Sequence, residues 1–162
     1  LGDVYKRQLY ACTSSLPPAG IATVASLMYQ TVGADCSPAA AFPVAIVHGT
    51  HDYRAYYDGY GFDAPVLPVP ETVGLWAKKM GCNQTPGTVE MPDTAGDYTT
   101  ISSFSFDGCA AGSTVLHFRV NWGGHTWPGE TGPWGTGSGK LSRNLDTTRE
   151  ILAFFASVTP SG

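Results

Sequence analysis

Residues Phe42 to Thr50 read FPVAIVHGT, and the fold turns on what kind of strand they form. Val44 to Val47 are apolar without alternation, so a strand here shows apolar side chains to both of its faces. That pattern belongs to a parallel strand covered by helices on each side, because a strand with one wet face alternates. The run then stops abruptly in HGTHD, His48 to Asp52, a polar and glycine-containing loop at the strand's C-terminal end.

Upstream, AGIATVASLMY (Ala19 to Tyr29) is a second apolar run of strand length, preceded by the helix-breaking pair Pro17–Pro18. Downstream, a Tyr- and Gly-rich loop from His51 to Val69 leads to a change of period. Val73, Trp76, Ala77 and Met80 recur at helical spacing, Pro70 suits the first turn, and Gly81 suits the C-terminal cap. A polar loop is expected as far as Asp97. YTTISSFSF and STVLHFRV then read as two strands joined in a hairpin by DGCAAG. GGHTWPG (Gly123 to Gly129) ends the second of them, and a Gly-rich loop runs on to Gly139. Asn144 or Asp146 can cap a last helix whose apolar face is Leu145, Ile151, Leu152, Phe154 and Phe155. Apolar strands alternating with amphipathic helices predict an α/β sheet, in which chemistry sits on loops after the C-terminal strand ends.

The chain of 162 residues suits one domain with a real core. At 43% hydrophobic and 14% charged residues it does not have the composition of a disordered segment. A net charge of −4 with nine Lys and Arg gives no electrostatic footprint for nucleic acid. No apolar run approaches the roughly 18 residues that a membrane span requires. Cys12, Cys36, Cys82 and Cys109 lack the paired C-x-x-C spacing of structural zinc. They read as two disulfides in an oxidising compartment, with buried reduced thiols as the alternative. Leu1 to Gln8, without an initiator Met or an apolar signal core, reads as a non-native start to a truncated chain, with residues 9–162 forming part of one catalytic domain.

Two residues stand where chemistry is expected. Asp52 lies just past the end of the best strand, and His125 lies past a different strand end. An Asp followed by a later His on neighbouring strand-end loops matches the order Ser…Asp…His of a hydrolytic triad. In that arrangement the carboxylate accepts the histidine Nδ1 proton, and Nε2 takes the proton of a serine hydroxyl. Either residue is otherwise an ordinary turn residue. His48 and His117 read as structural residues of their strands, and a metal site from His48, His51 and Asp52 is disfavoured because adjacent positions rarely converge on one ion.

HGTHD, YDG (Tyr57 to Gly59), LWAKKMGC, Cys109, GGHTWPG and LDTTREILAFF together resemble the C-terminal half of the polyhydroxybutyrate depolymerase/feruloyl esterase family of α/β-hydrolases. The resemblance runs from about Leu9 to the end, and GGHTWPG is its most specific element. It implies a secreted or periplasmic serine esterase that needs no cofactor or metal and acts on an ester substrate. That substrate is a feruloyl or acetyl polysaccharide ester, or a polyhydroxyalkanoate oligomer. It carries over the triad's acid to Asp52 and its base to His125. It also implies a Cys82–Cys109 disulfide, leaving Cys12 and Cys36 as the remaining pair.

The chain departs from the family at one point. No serine has glycine at both −2 and +2, so the G-x-S-x-G elbow is absent from the sequence. The expectation is therefore two thirds of a triad, and an inactive chain when taken alone. Trp127 and Tyr57, with Tyr53, Tyr56 and Trp134, are candidate substrate-binding aromatics around the two loops. A disulfide-stabilised carbohydrate-binding module, usually a β-sandwich, and a non-catalytic remnant of the hydrolase fold are the competing readings.

Overall fold

The computed structural model describes residues 6–60, 65–131 and 137–157. Among these, five strands form one sheet: β1 (Ile21–Val24), β3 (Val44–Gly49), β7 (Val115–Asn121), β6 (Thr100–Phe106) and β5 (Gly87–Glu90), side by side in that order. β1 pairs parallel to β3 and β3 parallel to β7, whereas β7–β6 and β6–β5 are antiparallel. Four strands thus share one direction and β6 opposes them, as the hairpin reading of YTTISSFSF and STVLHFRV requires. A second sheet consists of β2 (Met28–Tyr29) and β4 (Val66–Leu67). With helices α1 (Lys6–Thr13), α2 (Gln30–Asp35), α3 (Val69–Lys79) and α4 (Thr147–Ser157), the architecture is α/β. Its mixed sheet is not the all-β sandwich of the binding-module reading.

The decisive strand is buried along its whole length, all six residues of β3 included. Val44 and Ile46 pack with Val73, Trp76, Ala77 and Met80 near α3, together with Ala11 and Cys12 of α1. Val47 packs on the opposite side with Ile101, Phe118, Val120 and Leu145. Two cores on two faces account for the missing alternation.

Three elements depart from the sequence reading. AGIATVASLMY is two short strands, because Ala25 breaks it in the left-handed region at φ 51°. The loop before Asp97 contains β5, whose four residues are all exposed, so no burial period marks it. In α4 the expected apolar face is only partly inward: Phe154 is buried, but Leu152 is 65% exposed. Asp146 caps this helix, with Oδ1 accepting the Arg149 N–H at 3.0 Å. Asn144 instead takes the Thr94 and Ala95 N–H groups.

Both disulfides form, Cys12–Cys36 between α1 and the end of α2, and Cys82–Cys109 between the residues after α3 and the β6–β7 link. Closing loops of 24 and 27 residues is worth about 3–4 kcal/mol each in the chain-entropy model. Lys6 to Gln8 belong to α1, and buried Gln8 accepts the Trp76 Nε1–H at 3.0 Å. Leu1 to Tyr5 lie outside the described residues.

Candidate active site

β3 and β7 are parallel neighbours, so their C-terminal loops leave the sheet side by side. Backbone bonds then tie one loop to the other: Thr50 N–H donates to Val120 O at 3.0 Å, and His51 N–H donates to Gly123 O at 2.8 Å. The glycines make this approach possible. A Cβ on Gly49 would lie 2.3 Å from Gly123 O, and one on Gly124 would lie 2.0 Å from Ser138 O. Gly123 and Gly124 have no positive φ, so they serve close contact rather than a left-handed turn. The residue of that stretch in the left-handed region is Trp122, at φ 63°.

This crossing brings together residues 73 positions apart: Asp52 Oδ2 and His125 Nδ1 are 2.8 Å from each other. Asp52 is buried. Its other oxygen, Oδ1, accepts the Arg54 N–H at 2.9 Å and the Ala55 N–H at 2.7 Å. His48, at the end of β3, sends Nε2 to Ala55 O at 2.8 Å and to within 3.4 Å of Asp52 Oδ2. Burial opposes ionisation of Asp52, but the hydrogen bonds from His125, His48 and Ala55 outweigh it and hold the carboxyl well below the usual carboxylate range. An ionised Asp52 fixes the His125 tautomer, with the proton on Nδ1 and a lone pair on Nε2. The His125 side chain is 31% exposed, and among the described residues no hydrogen bond engages Nε2. Its N–H donates to Ser138 O, and Gly124 N–H donates to Lys140 O, so the segment 138–140 braces the histidine from behind.

Tyr57 and Trp127 bond to partners other than this pair. The Tyr57 hydroxyl and His117 Nε2 are 3.1 Å apart, and His117 Nδ1 reaches Ile46 O at 3.0 Å. Donation from Nδ1 to the carbonyl leaves Nε2 to accept the phenol proton. Burial pushes the Tyr57 phenol up to about 12, and burial lowers His117 to about 4. Tyr57 thus anchors the loop after Asp52 to the sheet. Trp127 donates Nε1–H to Thr148 Oγ1 at 3.0 Å and lines an apolar cavity beside β1. Trp134 lies outside the described residues. His51 is not isolated: its ring lies 4.4 Å from that of Trp122, tilted by 35°. Trp122 and the brace at Ser138 lie outside HGTHD and GGHTWPG, and Thr50 lies inside HGTHD without an assigned role, so only their contacts reveal them. Among the described residues no cluster of His, Cys, Asp or Glu is placed to hold a metal ion, and no helix is long and apolar enough to cross a membrane.

Fold and site together define an α/β protein with an ionised acid bonded to a histidine across two parallel strand ends. No family model matches the chain. It is similar to a protein named "Putative esterase NocK" from Nocardia uniformis subsp. tsuyamanensis, at 28% identity over 149 residues. The match takes in 84% of this chain but 43% of that protein, so the chain spans less than half the length of its relative.

Proposed function

We propose that the chain supplies the acid and the base of a carboxylic-ester hydrolase that works through a serine acyl-enzyme. The 2.8 Å bond between Asp52 Oδ2 and His125 Nδ1 carries the reading. With Nδ1 committed to the carboxylate, Nε2 takes the serine proton as the hydroxyl attacks the ester carbonyl, then returns it to the leaving alcohol. Asp52 stays ionised and stabilises the imidazolium between the two transfers. The similarity to an esterase supports the same chemistry. The nucleophile and the oxyanion-hole donors are assigned to sequence outside these 162 residues, since no G-x-S-x-G elbow occurs within them. Polyhydroxyalkanoate oligomers and feruloyl or acetyl esters of polysaccharide are the substrates this reading admits. The two disulfides fit a secreted or periplasmic site of action.

Hydrolysis of p-nitrophenyl acetate tests the proposal in two forms of the protein. The 162-residue chain alone should not exceed the buffer rate. In a protein extended upstream to include a G-x-S-x-G serine, Asp52→Asn should lower kcat/KM by about ten-thousand-fold, because it favours the wrong histidine tautomer. Robust turnover by the short chain, abolished by His125→Ala, would show that the nucleophile has been misplaced. An extended protein indifferent to Asp52→Asn would sink the triad.

A further inference from the structure

His48 is buried at the end of β3, where a residue that only fills core space should leave no polar atom stranded. His48 does leave one. Its Nε2 lies 2.8 Å from Ala55 O, and since a carbonyl only accepts, Nε2 carries the proton. Nδ1 then keeps a lone pair, and it has no hydrogen-bond partner among the described residues. An apolar side chain of similar size would fill the place without that cost. What the imidazole contributes lies at Nε2.

The Nε2 proton closes a ring of contacts through the backbone of one residue. Ala55 O accepts it, while the Ala55 N–H donates to Asp52 Oδ1 at 2.7 Å. The same Nε2 stands 3.4 Å from Asp52 Oδ2, the oxygen that meets His125 Nδ1 at 2.8 Å. Rotation of a carboxylate about its last side-chain bond is soft and roughly two-fold, so an Asp does not hold its own plane. The N–H groups of Arg54 and Ala55 grip Oδ1, but they belong to the loop that carries Asp52 itself. His48 ties that grip to β3, a strand buried throughout and paired on both sides. Its ring is backed edge-on at 5.9 Å by Tyr57, whose hydroxyl is bonded in turn to His117.

We infer that His48 is a positioning residue for the triad: its Nε2–H holds the Ala55 carbonyl and flanks Oδ2, fixing the plane of the Asp52 carboxylate so that Oδ2 faces His125 Nδ1. It touches no substrate and acts only through Asp52. The groups facing that carboxylate are His125 from the loop after β7, His48 from β3, and the N–H groups of Arg54 and Ala55. The contact with His48 also helps to keep the carboxyl ionised. The inference rests on the esterase reading for the purpose of the acid–histidine pair, and on the geometry alone for how the pair is held.

The test uses the isotope-labelled 162-residue chain, in which no ester need be turned over. Two polar substitutions differ in reach: glutamine places an amide nitrogen near the position of Nε2, and asparagine places one near that of Nδ1. Wild type and His48→Gln should both show the low-field His125 Nδ1 proton, and their Asp52 carboxyl carbon should titrate at the same pH. In His48→Asn that proton should be lost, and Asp52 should titrate at a pH higher by about one. His48→Leu fills the space and donates nothing, so it should match His48→Asn while keeping the near-ultraviolet circular dichroism of a folded chain. Equal spectra in the glutamine and asparagine variants, both keeping the proton or both losing it, would overturn the inference. So would a folded leucine variant that keeps the proton, since His48 would then only fill space. An extended, serine-containing protein indifferent to Asp52→Asn would sink the esterase reading and leave these spectra unaffected, so the two failures are told apart.

Discussion

The loop end of the sheet and the flank of β1 are finished in opposite ways. At the loop end, the Thr50 and His51 N–H groups donate across the crossing to Val120 O and Gly123 O, and backbones meet where a methyl group would not fit. At the flank, β1 pairs only with β3 among the described residues. A cavity of about 610 Å³ opens beside it, lined by Ile21, Val24, Trp127, Ile151, Leu152 and Phe155. The far edge of the sheet differs again, since β5 is short and exposed throughout and ends on Glu90, as a water-facing edge should. One region is over-determined by local geometry, and the other presents a mostly apolar surface that Lys6 and Arg7 also line. The acid–histidine pair is therefore assembled entirely by β3, β7 and the loops that follow them. Substitutions at the two regions should differ accordingly.

The largest effect is expected at Gly124. The Cβ of Gly124→Ala would meet Ser138 O at 2.0 Å and Gly139 Cα at 2.5 Å, both backbone atoms that no rotamer change can move. A loss of about 3 kcal/mol in urea unfolding is expected, together with loss of the low-field His125 Nδ1 proton resonance. Gly137→Ala meets nothing within 4 Å and suffers only from φ +87°, so about 1 kcal/mol is expected. Equal costs at the two positions would remove close approach as the reason for the glycine.

Next comes the anchor beneath the loop, expected to act through pH. Burial lowers folded His117 to about 4, aided by His48 and Arg119 and opposed by the bond to Ile46 O. The unfolded chain titrates this residue near 6.5, so on acidification it takes up the proton first. Stability is then full above pH about 6.5 and falls as pH drops toward about 4, by up to about 3 kcal/mol. Asp52 is shifted down, so its contribution is present above about pH 4 and is lost only in stronger acid. The two windows do not overlap. His117→Gln keeps an acceptor for Tyr57 and a donor for Ile46 O but carries no proton to gain. Its stability should stay level between pH 6.5 and pH 4, where wild type slopes. Matching slopes in the two proteins would rule out His117 as the cause.

The same contrast explains what was legible in the sequence. FPVAIVHGT could be placed because burial on both faces leaves an unbroken apolar run. Gly87 to Glu90 could not, because a strand exposed on both faces has no period. Asp52 and His125 were nameable from HGTHD and GGHTWPG, but a sequence does not carry the 2.8 Å between them. Ser138 and Lys140 brace the histidine through their carbonyls alone, and a carbonyl leaves no mark on residue choice. Trp122 was hidden for the converse reason, since its left-handed backbone is unfavourable for tryptophan and no propensity points to it. Leu152 misled because helical spacing identifies one side of α4 without saying what that side meets.

The smallest effect is expected at Leu152, and it is the most direct check on the flank. Its side chain is 65% exposed at the cavity, whereas Phe154 two residues on is buried. Lysine has nearly the helix propensity of leucine, and its stem can lie along the same apolar wall with the ammonium in water. Leu152→Lys should therefore change urea stability by no more than about 0.5 kcal/mol. It should also reduce self-association in sedimentation, because it places a charge beside an unpaired strand edge. A loss above about 1.5 kcal/mol would mean that Leu152 is packed in the folded chain. The flank would then be a built wall like the loop end, and the contrast between the two regions would fail at the residue where it is easiest to measure.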